Sequence, residues 1–356
     1  MNCLKTAKGT VAYGCLTALL ICLGLCCMAA EASPANTLPG DSAFAMDAGS
    51  SGLPMLTKDR IDADDIPEGY LTKAEHQGRV EKIRYNTYNA ETQQDDAVKS
   101  VMVYFPAGYD TSDQSYNVLY LLHGSNGSPK NYLNPDEVTE FQCLLDHMIE
   151  SGELEPLIVA AVSYVPSEGM PAWLPLPKQV ETASAFPREL VEDIIPQVES
   201  KCRSYGASAS GVNIAASRDH RAIAGFSMGG VCTWYTFIQQ MQAFRWFLPI
   251  SEASWDDGEE GISGIMDSDL SAQVLYEAVG AQGYGKEDFM LFVATGSEDS
   301  AFEITTSQMM SLLEYDDMFK PGVNTSCTMM QNGEHTMRAL YTYMYHILPS
   351  LFVESS

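Results

Sequence analysis

The chain has 356 residues, of which 46% are hydrophobic and 19% charged; 47 acidic against 20 basic residues give a formal net charge of −27 at pH 7. That apolar share excludes a disordered chain, and the length allows one large domain or two small ones. The acidic excess argues against nucleic acid or an anionic lipid surface as a partner, since both need clustered Lys or Arg to displace counterions, and it suits the solubility of an exported protein.

The N-terminus reads as an export signal. Lys5 and Lys8 form a positive flank, and residues 11–25 form an apolar core shorter than a membrane span. Ala29, Ala30 and Ala32 permit cleavage after Ala30 or Ala32, so residues 1–32 are expected to be a signal peptide. Retention as a membrane anchor is the rival reading. Cys22, Cys26 and Cys27 also raise lipid attachment, but none of them follows a small residue. Residues 33–57, rich in Ser, Ala, Gly and Pro, read as a flexible linker, and residues 58–356 as one catalytic domain. Only Cys143, Cys202, Cys232 and Cys327 lie beyond the leader. Their wide spacing suggests no metal site and leaves both disulfides and buried thiols open.

Within the domain, short apolar runs alternate with longer helical stretches. Residues 80–88 and 98–105 read as an opening antiparallel pair, with Asp95 and Asp96 near the turn. Residues 116–122 and 157–163 are near-continuous apolar runs, as in strands buried on both faces. Between them, residues 137–151 form a helix with Phe141, Leu144, Leu145 and Met148 on one face. A long Pro-rich segment, residues 165–186, is expected to hang over the site as a lid, and Trp173 in it could bind substrate. Helix 190–201 follows, then strands at 222–226, 246–250, 289–294 and 324–330, and a closing helix at 339–348. This alternation implies a mostly parallel sheet of about eight strands covered on both faces, with ligands bound beyond the carboxyl ends of the strands.

Gly225-Phe226-Ser227-Met228-Gly229-Gly230 fits G-x-S-x-G between an apolar strand and a helical run, residues 231–240. Such a turn lifts a serine clear of the sheet, and the flanking glycines make room where a side chain would collide. Ser227 is therefore the candidate nucleophile. A serine hydroxyl needs a base, here a histidine oriented by a carboxylate, and in this arrangement the order is Ser, acid, His. Only His335 and His346 follow Ser227. His335 lies in a polar loop after strand 324–330 and is preferred, whereas His346 sits within the closing helix. The acid should follow strand 289–294, where Asp299 is preferred and Glu298 is next. Asp256, Asp257, Glu259 and Glu260 read as surface charge. The oxyanion hole needs two N–H donors, for which the amides of Met228 and Ser125 are the candidates, with His123 shaping the Ser125 loop. Trp255 is a second candidate for substrate contact. No metal or organic cofactor is needed.

Four motifs stand in order: Val118-Leu119-Tyr120-Leu121-Leu122-His123-Gly124, Arg218-Asp219-His220-Arg221-Ala222-Ile223-Ala224-Gly225-Phe226-Ser227-Met228-Gly229-Gly230, Gly296-Ser297-Glu298-Asp299 and Gly333-Glu334-His335. Over residues 80–351 the chain thereby resembles the Putative esterase family of α/β-hydrolases. That family includes the feruloyl and acetylxylan esterases of carbohydrate esterase family 1, esterase D-like enzymes and mycolyltransferases. The resemblance implies the α/β-hydrolase fold and assigns Ser227 as nucleophile, Asp299 as acid, His335 as base and Ser125 as an oxyanion donor. It also implies an acylated plant polysaccharide such as xylan, or its fragments, as substrate, with ferulate or acetate released. One departure is that Gly333-Glu334-His335-Thr336-Met337 lacks the aromatic residue usual near this histidine in cellulosome-type feruloyl esterases. The rival functions are acyl transfer to a sugar, carbohydrate binding on a non-catalytic scaffold, and peptide hydrolysis. The last would call for an added propeller or cap domain that the sequence does not offer.

Overall fold

Strand residues alternate between two cores, and that alternation organises the molecule. A computed structural model describes residues 61–62, 65–89, 94–125, 127–165, 175–208, 211–256 and 267–353. The signal peptide and linker expected at residues 1–57, like Trp173, Asp257, Glu259 and Glu260, lie outside them. The strands are β1 (Ile61–Asp62), β2 (Arg79–Asn89), β3 (Gln94–Phe105), β4 (Val118–Leu122), β5 (Ile158–Val162), a minor hairpin of β6 (Ala207–Ser208) and β7 (Gly211–Val212), β8 (Arg221–Phe226), β9 (Trp246–Ile250), β10 (Met290–Gly296) and β11 (Thr325–Gln331). The main sheet has nine strands in the order β1-β11-β10-β9-β8-β4-β5-β3-β2. From β1 to β5 all neighbours are parallel, and β3 and β2 close the far edge antiparallel. Without the two-residue β1 the sheet has the eight strands expected. This is the α/β-hydrolase fold.

In β4, Val118, Tyr120 and Leu122 face one core while Leu119 and Leu121 face the other; β5 and β10 divide in the same way. Such a period of two with both faces apolar is what a parallel sheet covered by helices requires. Helices α1 (Glu140–Glu150) and α7 (Met337–Ile347) cover one face. Phe141, Leu144, Leu145 and Met148 of α1 are all fully buried there, as their spacing implied. The opposite face carries α2 (Leu176–Glu189), α3 (Ile195–Glu199), α4 (Met228–Gln239), α5 (Ser268–Ala281) and α6 (Phe302–Leu312). Each fully buried Leu, Ile, Val or Phe contributes roughly 1.5–3 kcal/mol, so these two layers dominate stability.

The proline-rich lid expectation is corrected in part. Residues 176–189 form α2, packed against α4, rather than an open loop. Pro175 and Pro177 occupy the start of the helix, where a missing N–H is no loss. A π-helical turn, Leu190–Ile194, joins α2 to α3, whose first turn holds Pro196. A proline there would clash with the carbonyl four residues earlier in a regular helix, and the wider turn relieves this. All four described cysteines are unpaired thiols, three of them buried.

Candidate active site

The carboxyl ends of β4, β8, β9, β10 and β11 converge on one group of loops. β8 runs into Ser227, which has φ 56° and ψ −124°, and α4 starts at the next residue. A non-glycine residue in this region costs of order 1–3 kcal/mol, so the surroundings must hold it. The Ser227 N–H donates to the Ile250 carbonyl at 2.9 Å, and its own carbonyl accepts from the N–H of Gly230 at 2.6 Å and of Val231 at 3.2 Å. The flanking glycines are needed because there is no room for side chains. A Cβ on Gly225 would lie 2.0 Å from the Gly229 oxygen, and one on Gly229 would lie 2.5 Å from the Leu122 oxygen. The elbow read from the sequence is thus built, with its serine pinned on the backbone side.

The loop after β4 closes on the same serine. A Cβ on Gly124 would sit 3.2 Å from Ser227 Cβ and 3.7 Å from its Oγ, so the backbone leading to Ser125 runs beside the hydroxyl. Met228, the first residue of α4, carries an amide that no helical carbonyl can reach. The Ser125 hydroxyl donates to Gln179 Oε1 of α2 at 3.0 Å. His123 is buried, and its Nδ1–H donates to the Gly124 carbonyl at 2.8 Å, while Nε2 accepts from the Ser163 hydroxyl at 2.8 Å. A carbonyl can only accept, so this pairing fixes the tautomer. Burial foremost, with the positive charge of Lys99 acting the same way, pushes His123 down to about 4. It shapes the loop as a neutral ring. Lys99 is itself buried, donating to the Ser163 carbonyl at 2.8 Å and pairing with Glu189 at 2.6 Å.

The other two loops bring His335 and Asp299 together. His335 Nδ1–H donates to Asp299 Oδ1 at 2.7 Å, which leaves Nε2 free of the proton. The Asp299 side chain is fully buried and that of His335 is 29% exposed, so the imidazole alone reaches outward. Asp299 Oδ1 also accepts from the Ala301 N–H at 2.8 Å. The His335 ring lies over Phe226, one residue before Ser227, at 4.5 Å between centroids. The two loops are laced to each other: Ser297 N–H donates to Met330 O at 2.9 Å, Glu298 N–H to Gly333 O at 3.0 Å, and Asn332 N–H to Ser297 Oγ at 2.8 Å. Their contact requires Gly296, since a Cβ there would meet the Gly333 oxygen at 2.2 Å.

The alternatives left by the sequence separate cleanly. Glu298 is exposed, whereas Asp299, the residue that pairs with His335, is buried. His346, in the last turn of α7, pairs with Asp65 at 3.3 Å. Trp255 is buried and packs in the larger core cluster, whereas Asp256 keeps partial exposure. Among the described residues no group of three or more His, Cys, Asp and Glu is arranged to hold a metal ion.

Sequence reading missed Glu252, Gln179, Ser163 and Lys99. Glu252 follows β9, and burial pushes its carboxyl up to about 7. A lone charged residue right after a buried strand end was the one available signal for it.

Comparison with known proteins fits this geometry. Residues 96–312 match the family described as Putative esterase. The chain is 32% identical over 293 residues to endo-1,4-beta-xylanase Y of Acetivibrio thermocellus; the match takes in 81% of this chain but only 24% of that protein. A mutant of the feruloyl esterase module from Clostridium thermocellum, serine replaced by alanine and complexed with sinapinate, superposes with a TM-score of 0.69 at 29% identity. That match covers 82% of this chain and 94% of the module. The CE1 ferulic acid esterase from the anaerobic fungus Anaeromyces mucronatus shares the fold, with a TM-score of 0.60 at 19% identity over 80% of this chain and 96% of that one. With residues 96–312, more than half of its length, matched by the family model, the chain belongs to the Putative esterase family.

Proposed function

We propose that this protein is a secreted serine esterase that removes feruloyl or acetyl groups from xylan or its fragments. The observation that carries the reading is the convergence of His335, held by the buried Asp299, with a serine held in a backbone elbow. Ser227 Oγ attacks the ester carbonyl while His335 Nε2 takes its proton, and Asp299 stabilises the imidazolium. The Ser125 and Met228 amides hold the oxyanion at the start of α4. His335 then returns the proton to the departing sugar alcohol, leaving an acyl-serine. Water, deprotonated by His335, attacks that ester, releases the acid and restores Ser227.

The xylan substrate is supported by the similarity to a xylanase and to a feruloyl esterase module, and the module's sinapinate supports an aromatic acyl group. In this reading Trp173 is a candidate for substrate contact, whereas Trp255 is buried in the core. Export is supported by the charged and apolar pattern of residues 5–25. The test is ester hydrolysis by purified residues 33–356 beside Ser227→Ala, on p-nitrophenyl acetate, methyl ferulate and acetylated xylan. Turnover by the wild type, with kcat lower by about four to six orders of magnitude in the variant, supports the reading. Equal rates would remove Ser227 from the mechanism.

A further inference from the structure

The loop after β4 is gripped from helix α2, an element the proposed mechanism does not use. The Gly124 carbonyl accepts from His123 Nδ1–H at 2.8 Å and from the Gly127 N–H at 3.0 Å. A peptide is planar and trans, so its carbonyl and its N–H point to opposite sides. With the carbonyl drawn to those two donors, the Ser125 N–H of the same peptide turns away from them. The other end of that peptide is Ser125 itself, whose hydroxyl donates to Gln179 Oε1 at 3.0 Å. That bond fixes the side chain and, through Cβ and Cα, the amide nitrogen.

Gln179 is itself held. It lies in the first turn of α2, is 7% exposed, and donates from its backbone N–H to the Pro175 carbonyl at 3.0 Å. Ala183 and Phe186 seat the helix in the core, and Gln239, at the end of α4, donates from Nε2 to the Ser184 carbonyl at 3.1 Å. Helix α4 begins at Met228, the second oxyanion donor. The far end of α2 reaches the same loop through a relay. Glu189 pairs with Lys99, Lys99 donates to the Ser163 carbonyl, and the Ser163 hydroxyl donates to His123 Nε2. One helix thus acts on both ends of the Gly124–Ser125 peptide. A serine hydroxyl has a single proton, so while it donates to Gln179 it cannot donate to an oxyanion. Its part is to orient.

We propose that Gln179 is a positioning residue for the oxyanion hole, acting through the Ser125 hydroxyl to aim the Ser125 N–H. Charge develops on the carbonyl oxygen only as the tetrahedral state forms, so the aim of this donor matters there and little in the ground state. Loss of Gln179 should therefore lower kcat and leave KM nearly unchanged.

The proposal rests on the esterase reading above, but its test does not need ester turnover. The probe is phenylboronic acid. Its boron adds the Ser227 oxygen, His335 Nε2 takes the serine proton, and the resulting tetrahedral boronate is an anion with an oxygen in the hole. Titrated into the full chain and followed by tryptophan fluorescence, it should bind about tenfold more weakly to Gln179→Leu and to Ser125→Ala. A misaimed donor keeps part of the roughly 10²–10³-fold that a whole donor supplies. Because both changes break one contact, the double variant should lose no more than either single one. Gln179→Met, and Ser125→Ala by itself, serve if the leucine variant fails to fold. Boronate affinity within about twofold of wild type in the folded variants, or losses that multiply in the double variant, overturns the proposal. A wild type that does not bind phenylboronic acid overturns it as well. Absence of ester turnover by the wild type overturns the esterase reading instead, and the boronate titration still decides the role of Gln179.

Discussion

His123 gives a stability prediction that can be worked through before any substrate is known. Its ring is buried, neutral and held at about 4 against an ordinary value of 6.5. The sign follows from linkage: below pH 6.5 the unfolded chain binds a proton that the native ring refuses, so stability is lost as pH falls from 6.5 toward 4. Between pH 8 and pH 5 this single site should remove about 2 kcal/mol of wild-type stability. His123→Asn keeps a donor near the Gly124 carbonyl but has no basic nitrogen. At pH 8 it should be less stable by about 1–3 kcal/mol, because the Ser163 hydroxyl and the face of Tyr164 lose their partner. Its own loss between pH 8 and pH 5 should be smaller than the wild type's by about 2 kcal/mol. Urea denaturation followed by circular dichroism at the two pH values measures this difference. Equal losses in the two proteins, within about 0.5 kcal/mol, would mean that His123 is not held neutral, and the account of the loop would fall with it.

Other expectations concern the acid and the contact between the two loops. Asp299→Asn should lower kcat by about 10³–10⁴-fold by withdrawing the acceptor that fixes the His335 tautomer, while Glu298→Gln should stay within about twofold of wild type. Steady-state kinetics on methyl ferulate separates them, and a comparable loss in Glu298→Gln would reverse the assignment. Gly296→Ala forces a Cβ to 2.2 Å from the Gly333 oxygen, so it should cost about 1–3 kcal/mol or more and impair activity as the His335 loop shifts. A thermal melt matching wild type would show that the loops can part at no cost.

Much of the fold was written in local pattern. Buried strands such as Val118–Leu122 and Ile158–Val162 announce themselves by unbroken apolar runs, and α1 by the spacing of Phe141, Leu144, Leu145 and Met148. The elbow was legible because its steric demand falls on neighbours in sequence, Gly225 and Gly229. Chain order and strand ends then pointed to His335 and Asp299, which the folded loops place 2.7 Å apart. Helix α2 was less visible, since its prolines resemble loop chemistry unless they fall at positions a helix tolerates.

What sequence by itself determined, then, was the set of features imposed by residues close together in the chain: strand, turn, helix and the glycines between them. Tertiary structure alone decided which carboxyl faces the imidazole, which histidine stays neutral, and that Lys99, Ser163 and Gln179 support the loop beside Ser227. Those outcomes depend on burial and on charges brought together from distant strands. Desolvation and Coulomb interaction act through space, and no spacing along the chain encodes them.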